Sequence, residues 1–411
     1  MICSSSDIRA DIRQVVDRNE KPGLMEPLVL SEGSPRRPAL NDVAVELAAA
    51  SAGFRRSLPA GVVRALANLV SAMNCYYSNL IEGHDTHPVD IERAMKNDYS
   101  ADPHKRDLQL EAKAHVAVQG WIDTGGLSSR AMTVAALCEI HKRVGELLPE
   151  ELLTVSEPDT GEKVLMVPGE LRHRDVRVGH HIPVSPGALP RFLARFEEVY
   201  GGLGRSETIL ATAAAHHRLL WIHPFLDGNG RVARLMSHAV LLEALDTGAV
   251  WSVARGLARR DNEYKAHLSA CDAPRRNDLD GRGTLSEEAL GAFTRFFLET
   301  CLDQVRFMEQ LVQPDRLRDR ILVWAEENVR GDRLPAKAGQ VLEAVLFRGE
   351  LPRGDVAGLL GTGDRQARRV VSALLERGVL ISDSARAPLH ITFPAALASR
   401  WMPGLFPEKG D

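Results

Sequence analysis

The sequence predicts a mainly α-helical protein with one small β-hairpin and a separate helical unit at its C-terminal end. Three observations predict this. Apolar residues recur at helical spacing over most of the 411 residues. The stretch 154–186 breaks that pattern, with Gly161, Pro168, Gly169, Gly179, Pro183 and Pro186 among short β-branched runs. Beyond Pro314, helical patterns lead to two short strand-like runs between Val379 and Phe393.

The first forty or so residues are polar and carry Pro22, Pro27, Pro35 and Pro38, which predicts either an irregular lead-in or an extended arm packed on the main domain. A helix follows from about Pro59 to Ile81. Proline suits its first position, and Gly83 suits a left-handed stop. Further helices are predicted at 104–123 and 127–146. The stretch 154–186 then reads as a loop ending in a hairpin, with Val176-Arg177-Val178 as one arm. Helices return at about 188–200, 206–222, 229–246, 262–271 and 286–312. The C-terminal patterns lie at 315–329, 338–347 and 353–360, with a basic helix at 363–377 closed by Gly378. Helices followed by a two-stranded wing make a winged-helix pattern.

Hydrophobic residues make up 44% of the chain and charged residues 26%, as in soluble globular proteins. A net charge of -4 argues against coating nucleic acid through bulk charge. Five scattered cysteines (Cys3, Cys75, Cys138, Cys271, Cys301) form no CxxC pair, which suits a reducing, cytoplasmic location without a disulfide framework. No apolar run is long enough to span a bilayer. Met1 to Arg13 lacks the apolar core of a secretory leader.

The segment His223-Pro224-Phe225-Leu226-Asp227-Gly228-Asn229-Gly230-Arg231-Val232-Ala233-Arg234 carries the chemistry. Val232, Leu235, Met236, Ala239 and Leu242 form the apolar face of a helix, and Arg231, Arg234 and His238 share the other face. A glycine-rich turn lets the backbone approach a ligand closely. The unpaired N–H groups of a helix start attract phosphate, and two arginines in the first turns would clamp further oxygens. Asp227 is a hard oxygen ligand suited to Mg²⁺. His223 is placed to take a proton from an attacking hydroxyl. Taken alone, a Gly-Asn-Gly turn before an amphipathic helix is commonly structural, and His223 alone reads equally as a hydrogen-bonded core histidine. Phe225 reads as a core plug beneath the loop. No Gly-x-x-x-x-Gly-Lys-Ser/Thr loop is present, so a P-loop ATPase is not supported.

This segment resembles, at every position, the Fic-family motif His-Pro-Phe-x-Asp/Glu-Gly-Asn-Gly-Arg-x-x-Arg. Ala215-His216 and Ile222 fit the approach to it. The resemblance implies a Fic-type helical bundle with a small β-hairpin flap, here followed by a winged-helix domain, and transfer of AMP from ATP to Ser, Thr or Tyr hydroxyls. It implies His223 as general base and Asp227 holding Mg²⁺ against the α- and β-phosphates. Gly228, Asn229 and Gly230, leading into Val232 and Ala233, would cradle the phosphates. Arg231 would meet the nearer phosphates and Arg234 the γ-phosphate. A phosphorylating branch carries Lys where this chain has Gly230, so Gly230 favours AMP transfer. Pro168-Gly169-x-x-Arg172 and Val178-Gly179-His180-His181 resemble the family's flap, whose edge would pair with an extended segment of a target protein. A zinc reading of His180 and His181 lacks a third ligand at sensible spacing.

Ser78-Asn79-Leu80-Ile81-Glu82-Gly83 is by pattern an ordinary helix C-terminus. A glutamate there opposes the helix dipole and invites a cationic partner. The segment resembles the family's inhibitory motif, Ser/Thr-x-x-x-Glu-Gly/Asn, which implies that Ser78, Glu82 and Gly83 restrain the site by pairing Glu82 with Arg234. An ion pair at about 4 Å is worth about 4 kcal/mol at an effective dielectric near 20, before desolvation.

Asn262-Glu263-Tyr264 resembles the family segment whose tyrosine lies by the adenine. Asp272 stands where relatives often have Asn, and a core role for Tyr264 is equally open. The expected division is 1–100 with the inhibitory helix (about 59–83), 101–312 catalytic, and 313–411 winged helix. In the basic helix, Arg365, Arg368, Arg369 and Arg377 suit either DNA or a solvated face. The expected function is an auto-inhibited protein AMP-transferase acting on other proteins and on itself; a homodimer is compatible with it. Two alternatives stand beside it: a hydrolase removing AMP with Glu82 as base, and a nucleotide-sensing DNA-binding regulator.

Overall fold

The computed structural model describes residues 15–156 and 161–407; the segment read for a leader and Cys3 lie outside them. The protein is mainly helical. The arm expected at the N-terminus is present and packed down. Arg191 binds the Asp17 carboxylate at 2.6 Å, and Ser185 donates its N–H to Glu20 at 2.8 Å. Met25 and Leu28 enter the core.

The polar lead-in ends near the expected fortieth residue, and a helix that the sequence reading did not place follows it. Helix α1 runs Arg37–Arg56, burying Leu40, Ala44, Leu47 and Phe54 at helical spacing against a later long helix. Helix α2 runs Ala60–Ile81 with Pro59 as N-cap, and Gly83 takes φ +86 past its end. Its apolar face, with Leu66, Leu69, Val70 and Met73, is fully buried, each such side chain contributing about 1.5–3 kcal/mol of transfer free energy. Helices α3 (Pro88–Met95) and α4 (Pro103–Asp123) follow, the latter capped by the Asp102 carboxylate on the Lys105 N–H. Helix α5 is Val134–Gly145 rather than 127–146, because Thr133 caps it and turns occupy the residues before.

The hairpin differs from expectation. The ladder in this region joins β1 (Thr154–Ser156) to β2 (Lys163–Leu165), at the start of the stretch. Val178 and His181 meet only as an isolated bridge around a Gly179-His180 turn. Helices α6 (Leu189–Tyr200), α7 (Arg205–Ile222) and α8 (Asn229–Leu245) then form the central layer, with α7 packed along α8. Helices α9 (Ala254–Arg259), α10 (Asp261–Cys271) and α11 (Glu287–Leu311) back them.

From Pro314 come α12 (Pro314–Arg330), α13 (Ala338–Arg348), α14 (Val356–Leu360) and α15 (Asp364–Glu376). The strands β3 (Leu380–Ile381) and β4 (His390–Ile391) pair antiparallel, and Leu351 bridges Leu389 beside them. Helix α15 buries Ala367, Val370, Val371 and Leu374, while Arg365, Arg368, Arg369 and Arg377 are exposed.

Two apolar clusters hold the molecule. One joins α4 to α8 around Phe192, Phe225 and Leu235. The other runs from α1 and α2 through α11 into the C-terminal helices. The C-terminal unit sits directly on α2. The Gly61 backbone lies so close to Gly349 that a β-carbon would overlap its carbonyl oxygen. The Tyr77 hydroxyl donates to the Leu405 carbonyl at 2.9 Å.

Candidate functional site

The loop between α7 and α8 is built to present backbone. His223 ends α7 in a left-handed conformation (φ 52, ψ 62), and Gly228 precedes α8 at φ +76. Phe225 is fully buried, as the plug reading expects, and stacks on the His141 ring at 4.0 Å. Asn229 staples the loop from within: its Oδ1 accepts the Phe225 N–H at 3.0 Å, and its Nδ2 donates to the Phe225 carbonyl at 2.8 Å. The Asn229 side chain is therefore turned inward and buried. The first bond within α8 is Val232 N–H to Gly228 carbonyl at 3.0 Å. Among the described residues, the N–H groups of Asn229, Gly230 and Arg231 find no acceptor. Such a helix start attracts anions.

His223 is held in one tautomer. Its Nδ1–H donates to the Leu220 carbonyl at 3.2 Å, leaving Nε2 as the acceptor. Burial pushes its pKa down to about 4, aided by Arg172 and His181 and opposed by the Leu220 carbonyl and Asp227. The imidazole is thus neutral at pH 7. Asp227 is exposed on the same loop.

Arg172 holds the geometry of that histidine. Its buried guanidinium donates to the carbonyls of His223 at 2.7 Å, Arg174 at 2.8 Å and Val184 at 2.5 Å, and its N–H bonds the Pro224 carbonyl at 2.9 Å. Burial lowers its pKa to about 10, so it stays charged. His141, on α5, adds a second brace. Its Nδ1 accepts the Gly169 N–H at 2.8 Å while its edge lies against Gly228. Burial drives its pKa to about 4.

The two motif arginines are both engaged. Arg234 is 3% exposed at its side chain and is gripped by the last turn of α2. Its Nε donates to Ser78 Oγ at 2.8 Å, one terminal nitrogen donates to the Ser78 carbonyl at 3.3 Å, and that nitrogen also pairs with the Glu82 carboxylate. Burial pushes the Glu82 carboxyl up, but Arg234, then Arg231 and His84, outweigh it and hold it below the usual range. The Glu82 carboxylate stands over the α8 N-terminus, where a β-carbon at Gly230 would overlap it. Arg231 pairs with Glu111 of α4 at 3.0 Å. Neighbouring His115 is fully buried, and its pKa lies well below the ordinary value through burial and the nearby arginines.

Other expected residues are placed as follows. Val178 and His181 exchange backbone hydrogen bonds at 3.0 Å, and His181 Nε2 donates to the Trp221 carbonyl at 2.7 Å. Gly179 takes φ +59 and His180 is exposed at the tip. Tyr264 is 2% exposed, and its hydroxyl bonds His216 Nε2 at 2.7 Å, so it lies in the core. Asp272 is engaged with His217 Nε2 at 3.0 Å. Val232 and Ala233 are buried within α8. Among the described residues no group of three His, Cys, Asp or Glu gathers as a metal site. A single exposed carboxylate such as Asp227 suits Mg²⁺, which is bound through one or two carboxylates together with substrate phosphates. Sequence reasoning missed Glu111, His141 and His84.

The helical bundle thus brings together the unpaired N–H groups of the α8 start, two arginines in the first turns of α8, and a neutral histidine on the loop before it. Residues 131–241 match the sequence profile of the Fic/DOC family, and the chain carries a Fic domain. A protein of Drosophila erecta named protein adenylyltransferase Fic is 28% identical over 172 residues, which cover 41% of this chain and 32% of that protein. The Drosophila melanogaster protein of the same name is 29% identical over 171 residues, covering 41% and 32%. The chain thus spans about a third of the length of these curated relatives. The crystal structure of a Fic family protein from Desulfovibrio desulfuricans G20 superposes with a TM-score of 0.50 at 16% identity, covering 89% of this chain and 98% of that one. This likeness concerns the fold. No helix among the described residues is long and apolar enough to cross a membrane.

Proposed function

We propose that this chain transfers AMP from ATP to Ser, Thr or Tyr hydroxyls of proteins, and that Glu82 restrains the reaction. The observation that carries the reading is the α8 N-terminus: free backbone N–H groups, Arg234 one turn into the helix and a neutral His223 on the preceding loop, with a carboxylate of the same chain at the anion position. The names of the Drosophila relatives agree with it.

In this mechanism His223 Nε2 takes the proton from the target hydroxyl, whose oxygen attacks the α-phosphorus of ATP. The bond to the β-phosphate oxygen breaks and pyrophosphate leaves. The α8 N–H groups and Arg231 hold the phosphates, and Arg234 meets the terminal one once Glu82 withdraws. Asp227 would hold Mg²⁺, whose charge would offset that of the phosphates. Gly230, where the phosphorylating branch carries Lys, fits AMP rather than phosphate transfer, and its lack of a side chain makes room for the Glu82 carboxylate. The Val178–His181 turn offers a short free edge for a target segment. The order α13, α14, α15, β3, β4 supports a winged-helix reading of the C-terminal unit.

Incubation with α-³²P-ATP and Mg²⁺ tests the proposal. Label is expected on the chain or on added proteins, and none with His223→Ala. Label that persists in His223→Ala, or that is absent from both wild type and Glu82→Gly, would overturn it.

A further inference from the structure

We infer that Glu111 is a positioning residue for the phosphate site, aiming Arg231 from the side opposite the inhibitory turn. The inference rests on the proposed nucleotide site and extends it to a residue outside the motif.

Glu111 lies on α4, which packs against α8, and is 120 residues from Arg231 in the chain. Both side chains are mostly buried, at 15% and 13% exposed. Glu111 Oε2 takes one terminal nitrogen of Arg231 at 3.0 Å. Among the described residues the other terminal nitrogen has no acceptor, and Nε is buried without one. The guanidinium is thus tethered at one corner, which restricts its swing and leaves a terminal donor for an anion beside the free α8 N–H groups. An arginine on a flexible stem loses less rotamer freedom on binding when it is already held.

Glu111 has a second contact. The same oxygen lies 3.2 Å from His84 Nδ1, on the turn directly after Glu82 and Gly83. Arg234 is therefore countered by Glu82 and Arg231 by Glu111, and the inhibitory turn touches both carboxylates' surroundings. This answers how two arginines one helical turn apart coexist: each has its own counter-charge. Glu111 differs from Glu82 in standing on a scaffold helix, so it stays beside Arg231 when the inhibitory turn moves.

Two contributions of Glu111 are separable. Its charge weakens the positive field felt by phosphate, and its hydrogen bond aims Arg231. Glu111→Gln removes the charge and keeps an acceptor; Glu111→Ala removes both. The test measures ADP and adenosine binding by calorimetry in the Glu82→Gly background, and KM for ATP where transfer is observed. ADP is expected to bind Glu111→Ala about tenfold more weakly than Glu111→Gln, with adenosine binding unchanged in both. Equal ADP affinities would show that Glu111 acts through charge alone and overturn the inference. A parallel loss of adenosine binding would show a general structural role and also overturn it. Binding is read without turnover, so a chain that binds ADP as expected but transfers no AMP would sink the transfer reading and leave this one standing. The isosteric Gln variant keeps the test informative if the Ala variant does not fold: an ADP affinity for Gln below that of the Glu82→Gly parent would then overturn the inference, and one at or above the parent supports it.

Discussion

Replacing Glu82 by glycine should accelerate AMP transfer, and the structure sets the scale. At an effective dielectric near 20 such a pair is worth about 4 kcal/mol before desolvation. Arg234 is 3% exposed but Glu82 is 42% exposed, so solvent screens the pair and the chain entropy of a surface carboxylate opposes it. Because Arg234 itself is buried, the low end for a hydrogen bond to a charged group, about 1.5–2 kcal/mol, sets the restraint on it. At 1.36 kcal/mol per factor of ten, this is roughly a ten- to thirtyfold rise in transfer rate. Removing Glu82 also leaves Arg234 buried without a counter-charge, which raises its demand for a phosphate. The assay is incorporation of label from α-³²P-ATP with Mg²⁺, wild type beside Glu82→Gly and Glu82→Ala. The alanine variant separates loss of the carboxylate from fraying of the helix end by glycine. Unchanged incorporation in both variants would refute the reasoning. Because the folded Glu82 carboxyl lies below its ordinary value, the pair is fully formed above about pH 4.5 and is lost only as pH falls through the lowered value. Mild acidification to pH 6 is therefore expected to leave the restraint in place.

Three further outcomes follow from the same geometry. His223→Ala should abolish transfer while leaving the ATP dissociation constant unchanged by calorimetry, and the wild-type rate should lose its base only as pH falls through about 4. Arg172→Ala should lower stability by roughly 2–4 kcal/mol in chemical denaturation, since four carbonyl acceptors lose a charged donor, and it should reduce transfer by releasing the His223 backbone. His141, His216, His217 and His223 have folded pKa values of about 4, 3, 4 and 4, below the free value of 6.5. The unfolded chain therefore binds more protons below pH 6.5, so the melting temperature should fall steadily from pH 6.5 towards 4 and stay level above 7.

The parts legible in the sequence were those carried by contiguous residues. The twelve residues from His223 contain the turn, the helix start and both arginines, and Phe225 and Gly83 take the roles their types suggested. Helix ends marked by Pro59, Gly83 and Pro314 fall within a residue of expectation. Helix α1 was hidden behind the prolines that precede it, although Leu40, Ala44 and Leu47 have helical spacing. The hairpin was misplaced because β-branched runs flank glycines at both ends of 154–186, and only tertiary pairing chooses between them. Glu111 and His84 come from different elements, and a lone Glu or His on a helix face or turn has no local pattern that singles it out. Asn229 shows the opposite case: its place in the motif suggested phosphate contact, yet its amide closes the loop onto Phe225.

The seat of Gly61 on Gly349 gives α2 a mechanical character. The helix is 22 residues long without interruption, about 33 Å from end to end. One end bears on the backbone of the C-terminal unit with no side chain as cushion. The other end holds Arg234. A load on the C-terminal unit therefore enters a stiff rod rather than a slack linker, and a displacement small enough to leave the fold intact arrives as a change in grip on one guanidinium.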